Sequence, residues 1–447
     1  MRVSPDFLAR PFVAFVERFY PDSFVFAILL TGVTFALAIG LTETSSGEAL
    51  VIWGDGLKGL LPFITQIALT LLCAHSLAHT DLVHGALDRM ARWPRTERQA
   101  YAWVAIVAGV GSLIAWSLGL VVGALIALGV ARAGRARGLR LHFPLLVASA
   151  YAGFVVWHMG YSSSAALFVA TPGHALESMT GVIPVTETIF ASWNLALAVL
   201  TVAAVACVCA GLAPRKTAAS EWVEPGTAPE PGEPDRSTLG RRLEHARWIS
   251  SGMGALLLAY LFTWFRSRGL ELTLDVVNWS FLGLGLVLAR SPIHYVALIR
   301  GASRTLGPII LQYPFYAGIM ALMTGTSLVH LFSDGFVALA SPETLGFWAF
   351  VSGGALNFFV PSGGGQWAVQ GPIFIEAAQK LGVAAPVVVM GVAYGDQWTN
   401  LIQPFWTLPL LAIAGLNSRA IMGYCFVVFL VTFVLFGGGL LLVGSGV

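Results

Sequence analysis

Charge is what this sequence has least of. Only 11% of its 447 residues are charged while 57% are hydrophobic, and soluble domains usually carry roughly 25% charge. So little polar surface cannot cover a soluble globule, and the class is an all-α polytopic membrane protein whose main partner is the lipid bilayer. The formal net charge of +2 says little beside how the charges are distributed, and no nucleic acid is expected as a partner.

Catalytic and energy-coupling signatures are also missing. There is no Walker A sequence, no nucleophile elbow, no pair of catalytic aspartates and no HExxH, which sets aside nucleotide-driven transport and leaves an intramembrane enzyme as a remote alternative. No cofactor is expected. The 4 cysteines, Cys73, Cys207, Cys209 and Cys425, fall in apolar runs without ligand spacing and read as packing residues. His75 and His79 have the spacing of a metal pair on one helix face, but no third ligand accompanies them, so no metal site is assigned. A cleavable signal is absent from the first residues: Phe7, Phe12, Phe15 and Phe19 alternate with Arg2, Arg10 and Arg18, the pattern of an interfacial amphipathic helix over 1–20.

What is present is a series of apolar runs, each compared with the about 20 residues a spanning helix needs. The first membrane unit, 21–212, opens with Phe24 to Leu41 and Leu57 to Ala78. Between them lie Glu43, Glu48 and Asp55, with Trp53 to Gly56 reading as a turn, while Arg89, Arg92, Arg95 and Arg98 follow. Arginine-rich short loops stay cytoplasmic, which places the N-terminus inside. The run 101–130 has basic flanks on both sides and is expected to enter and leave by one face, a re-entrant hairpin folding at Trp116 to Gly119. A broken helix over 143–170 follows, interrupted at His158 to Ser164. Ile189 to Leu212 then returns inward. The stretch 213–247, rich in proline and alternating charge, reads as a disordered cytoplasmic linker.

The second unit, 248–447, repeats this order from the opposite face. Spans at Trp248 to Phe265, Val276 to Ala289 and Leu306 to Leu331 lead, through an external loop over Phe332 to Thr344, to a second hairpin at 345–381. A second broken helix at 383–416, interrupted from Gly395 to Gln403, and a last span, Ile421 to Val443, follow. The sum is an inverted-topology repeat of about nine full spans, two re-entrant hairpins and two broken helices, the architecture of secondary transporters.

Polar residues at the breaks carry the chemistry. Ser362, Gly363, Gly364 and Gly365 open a half-helix whose backbone amides present partial positive charge without an arginine. Pro361, Gln366, Gln370 and Pro372 around them favour an anion site over simple helix packing. Asp396 is the one acidic residue in the interior of a membrane run, a position presumed functional. Asp396, Asn357, Thr399 and Ser117 are assigned to a coupling ion, H⁺ or Na⁺. Gln397 and Asn400 join Gln366, Ser162 and Ser163 on the substrate side, with Ser164 beside them. His158 reads as a satisfied interior histidine or a proton relay, the former preferred.

At these motifs the sequence resembles the short-chain fatty acid transporter family of bacteria, the acetoacetate and butyrate permeases. The shared segments run nearly end to end: Arg18–Asp22, Trp53–Gly56, Gly119–Ala124, Ala170–Gly173, Gln312–Gly318, Val360–Gly365 and Met422–Cys425. The resemblance implies uptake of short monocarboxylates across the inner membrane and kinship with homodimeric elevator carriers of the ion-transporter superfamily. Two departures stand out. Gln366 occupies a position where the family pattern has His after the glycines, and Ala115–Gly119 replaces an Asn-bearing, glycine-richer tip. The leading expectation is therefore a cation-coupled secondary carrier for a short monocarboxylate. A passive channel for small anions is the alternative.

Overall fold

The computed structural model describes residues 6–214, 237–269, 273–303 and 306–445. The first half contains α1 (Asp6–Phe19), α2 (Ser23–Leu41), α3 (Ser46–Gly56), α4 (Leu61–Ala78) and α5 (Asp81–Ala91), then the hairpin of α6 (Glu97–Ile114) and α7 (Trp116–Ala136). A broken helix follows, made of α8 (Phe143–Gly153), a 3₁₀ segment (Phe154–Met159) and α9 (Ser164–Ala170), and then α10 (Glu177–Thr180) and α11 (Ser192–Gly211). The second half runs through α12 (Leu239–Glu244), α13 (Arg247–Arg268), α14 (Leu274–Leu288), α15 (Pro292–Ser303), α16 (Gly307–Gly325) and α17 (Leu328–Val337). It continues into a second hairpin, α18 (Leu345–Asn357) and α19 (Gly363–Leu381), and a second broken helix, α20 (Ala385–Thr399), a 3₁₀ segment (Asn400–Ile402) and α21 (Pro404–Ala414), before α22 (Arg419–Gly444).

Among the described residues, 7 helical stretches are long and apolar enough to cross a membrane, or 8 if α15 and α16 count as one bent span. Several helices of the anticipated nine spans are short; α14 has 15 residues. The helices pack as two sets. One joins α2 and α3 to α16, and α14 to α4 and α13; the other joins α6 to α7, α8 and α11, and α18 to α20 and α22. Outside the membrane helices, Arg290 donates to Asp81 at 2.8 and 3.1 Å, and this holds the Asp81 carboxyl below its usual range.

Five boundaries differ from the sequence expectation, each for a local reason. Trp53 to Gly56 is the last turn of α3 rather than a loop: a Cβ on Gly56 would lie 2.2 Å from Ala321 Cβ, so its glycine serves a close approach to α16. The first hairpin folds at Ala115 alone, extended at φ −152°, because the Trp116 amide starts α7 by donating to Ser162 Oγ at 2.9 Å. Residues 332–337, expected in an external loop, belong to α17, which begins at Leu328 inside the expected span and whose Ser333 is held by Gln370. Gly395 does not break α20: a Cβ there would lie 2.3 Å from Phe350 O on α18, so it too marks helix contact, and the break falls at Asn400 to Gln403. Of the stretch expected to be disordered, residues 215–236 lie outside the described residues, while α12 forms because Thr238 caps it by accepting from the Arg241 amide.

Candidate functional site

Breaking a helix inside a bilayer leaves backbone groups that protein must satisfy, and the two breaks satisfy each other. The His158 amide, in the first break, donates to Gln397 Oε1 of α20 at 2.9 Å. The Tyr151 hydroxyl of α8 donates to the Asn400 carbonyl. Asn194 of α11 donates to the Met159 carbonyl at 3.0 Å and receives a hydrogen bond from the Tyr394 hydroxyl of α20. In the first hairpin, Leu113 O accepts from the Tyr161 amide. A side-chain framework therefore ties the residues after His158 to those around Asn400.

Asn357, at the end of α18, sits where the second break opens. Its Nδ2 faces Asp396 O at 2.9 Å, Thr399 Oγ1 at 3.0 Å, Asn400 Oδ1 at 2.6 Å and Gln403 Oε1 at 3.4 Å. Gln403 Nε2 donates back to the Asn357 carbonyl. Asn400 donates to Asp396 Oδ1 at 3.0 Å, and the same carboxylate oxygen stands 3.7 Å from His158 Nε2. His158 Nδ1 meets Ser163 Oγ at 3.1 Å.

Beside this cluster lies a cavity of about 230 Å³ lined by the tip of the second hairpin, Pro361 to Gly364, together with Ser164 and an apolar wall. That wall includes Phe63, Trp116, Trp157, Phe405 and Trp406. Residues from the first turns of α7, α19 and α21 line it, and among the described residues no charged side chain does. Ser362 Oγ accepts from the Gly365 amide and caps α19. The cavity and the polar cluster touch at one point: a Cβ built on Gly363 would lie 2.4 Å from His158 Nε2.

The structure thus brings together Asn357, Asp396, Thr399, Asn400, Gln397 and Ser163 in the polar cluster, and Ser362, Gly363 and Gly364 at the cavity. Gly365 stands one residue behind the cavity wall. Ser162 holds the start of α7, and Ser117 is buried on α7. Gln366 lies inside the second hairpin, donating to Gly353 O at 2.7 Å and to Gln370 Oε1 at 2.9 Å. Sequence reasoning underplayed His158, Tyr151 and Gln403. An isolated His among aromatic residues gives no local signal; only the fold sets it against Asp396. The rings of His75 and His79 lie tilted against each other with centroids 4.2 Å apart, and among the described residues no group of three or more potential metal ligands occurs.

Long apolar helices, two hairpins, two broken helices and a polar core where the breaks meet define the class as a multi-pass helical membrane transporter. The sequence pattern described as "Short chain fatty acid transporter" matches residues 6–443, and the chain belongs to that family. A protein of Escherichia coli (strain K12), provisionally named a short-chain fatty acid transporter, is 39% identical over 442 residues, 98% of each chain. A Haemophilus influenzae protein of the same provisional name is 36% identical, covering 97% of this chain and 98% of its own. Among solved structures, the YdaH transporter of Alcanivorax borkumensis is similar at TM-score 0.43 and 14% identity, over 99% of both chains. MtrF of Neisseria gonorrhoeae, described as an antimetabolite efflux pump, is similar at TM-score 0.38 and 15% identity, over 97% of both. Family membership makes the chain a transporter rather than an enzyme.

Proposed function

We propose that the protein carries a short-chain fatty acid or similar small monocarboxylate across the bacterial inner membrane, coupled to H⁺ or Na⁺. One observation supports the substrate: the cavity of about 230 Å³ has polar hairpin backbone and hydroxyls on one side and aromatic rings on the other, with no charged side chain among the described residues. A carboxylate set against Ser362 to Gly364 would meet α19's positive end, and a short aliphatic tail would lie on Trp116, Trp157 and Trp406. Such cavities recognise a ligand through a few placed polar groups on an apolar lining. Asp396 and Asn357, next to this cavity, stand on the coupling-ion side.

Alternating access would be of the elevator type, within a homodimer whose N-termini are cytoplasmic. The set built on α6 to α8, α11 and α18 to α20 would move with the substrate, while the set built on α2 to α4, α14 and α16 would hold still. The two hairpins would then be re-entrant, one from each face, with 21–212 and 248–447 as opposed repeats. The cavity supports this division because Leu60 and Phe63, at the start of α4, face hairpin residues from the other set.

The test is uptake of labelled butyrate into proteoliposomes under an imposed Na⁺ or pH gradient, with uptake by protein-free vesicles subtracted because the neutral acid crosses lipid unaided. Accumulation above that background under at least one gradient is expected. If neither gradient drives accumulation of any short monocarboxylate, the reading fails. Unitary currents in planar bilayers would favour a passive anion channel instead.

A further inference from the structure

His158 and Asp396 form a pair contributed by different halves of the chain. Their side chains are 0% and 1% exposed, with Nε2 and Oδ1 3.7 Å apart. Buried polar atoms nearly always have partners, yet His158 Nε2 and Asp396 Oδ2 have none among the described residues. Two such atoms on adjacent titratable groups are what a site that gains and loses a proton would leave open.

We infer that the coupling ion is H⁺ and that the His158–Asp396 pair holds it. This rests on the proposed carrier function. The charge balance gives the reason. A carboxylate entering a low-dielectric space needs a compensating positive charge, and among the described residues no Lys or Arg lines the cavity. With one proton between them, imidazole and carboxylate are together neutral. With a second proton the pair becomes imidazolium and carboxylic acid, carries one positive charge, and neutralises the incoming carboxylate. One H⁺ enters with each substrate and leaves with it.

The route from pair to substrate is short. Gly363 lines the cavity, and the position its Cβ would take is 2.4 Å from His158 Nε2, so no side chain separates the imidazole edge from the cavity wall. The other titratable groups near the pair are engaged elsewhere. Tyr151 donates to Asn400 O and Tyr394 to Asn194, and Glu376 and Lys380 on α19 pair with each other at its exposed end. Tyr161 follows in the break, and Cys425 lies buried on α22. Sodium would need the oxygens that converge from Asp396, Thr399, Asn400 and Gln403, and the Asn357 amide nitrogen already occupies that centre.

Calorimetry of butyrate binding to the purified full-length protein, in buffers of different ionisation enthalpy and with or without Na⁺, tests this directly. The expected result is uptake of one proton per butyrate, no effect of Na⁺, and affinity falling about tenfold per pH unit as the site deprotonates. Asp396→Asn and His158→Gln should each abolish the proton uptake and flatten the pH profile; a variant that binds butyrate with the wild-type proton count overturns the assignment. Should one variant not fold, the other decides: wild-type proton uptake in it overturns the pair, and loss of the uptake with retained binding supports it. Affinity that depends on Na⁺ without proton uptake overturns the inference and leaves the carrier reading intact. No binding of any short monocarboxylate, in any buffer, overturns the carrier reading itself.

Discussion

At the scale of single residues, the three glycines at the second hairpin tip are unequal. A methyl on Gly363 would sit 2.4 Å from His158 Nε2 and 3.0 Å from Trp157 Cη2, both on fully buried rings, whereas one on Gly364 would meet only Ser164 Cβ at 3.6 Å. Gly363→Ala should therefore cost about 1–3 kcal/mol of overpacking and lose most butyrate uptake, while Gly364→Ala should keep the wild-type melting temperature. Thermal unfolding and uptake measured side by side check both. Equal behaviour of the two variants would show that His158 does not stand against the hairpin tip. The importance of the glycine run was legible in the sequence because three consecutive glycines inside an apolar run have no simple packing explanation. Which glycine faces which side chain was not legible, since it depends on a histidine about 200 positions away, and the chain alone gives no measure of that approach.

At the scale of elements, the tightest contact in the second half is between α18 and α20. Gly353 and Gly395 let them touch backbone to backbone: Cβ atoms there would lie 2.7 Å from Val392 O and 2.3 Å from Phe350 O. Backbone cannot rotate aside as a side chain can, so Gly395→Ala should destabilise the protein by more than the usual overpacking range, about 3 kcal/mol or above. A clear fall in melting temperature, with loss of monodisperse protein on size exclusion, is the expected result. This contact also explains why the sequence put the second break too early. Gly395 reads as a helix breaker by propensity, but tertiary contact uses it as a spacer, and the backbone opens only where Asn400 and Gln403 supply side-chain bonds in exchange. The same holds for Gly56 at the end of α3. Hairpins and broken helices were legible because their apolar runs are too long or too interrupted for simple spans. Their fold points were not, because side chains from other elements, such as Ser162 at the start of α7, decide them.

At the scale of the whole molecule, the cavity lies where the two helix sets face each other, with Leu60 and Phe63 on one side and Ser362 to Gly364 on the other. If one set slides past the other during transport, locking them must stop it. A Leu60→Cys/Ser362→Cys pair, in a background with the exposed Cys207 replaced by Ser, should lose uptake on bifunctional thiol cross-linking and regain it when a cleavable linker is cut; unchanged uptake in the cross-linked protein would argue against relative movement at this boundary. The arrangement of the polar core also bears on how the protein is made. His158 is separated by 239 residues from Gln397, which accepts its amide hydrogen, and Asn194 by 200 from Tyr394. A ribosome that has delivered the first half to the bilayer has delivered a break whose Met159 carbonyl and Tyr161 amide already have partners, while the His158 amide still lacks its own. That amide is closed only when α20 arrives, so the site cannot be complete before the second half of the chain is in place, and the folding of the two halves is coupled through it.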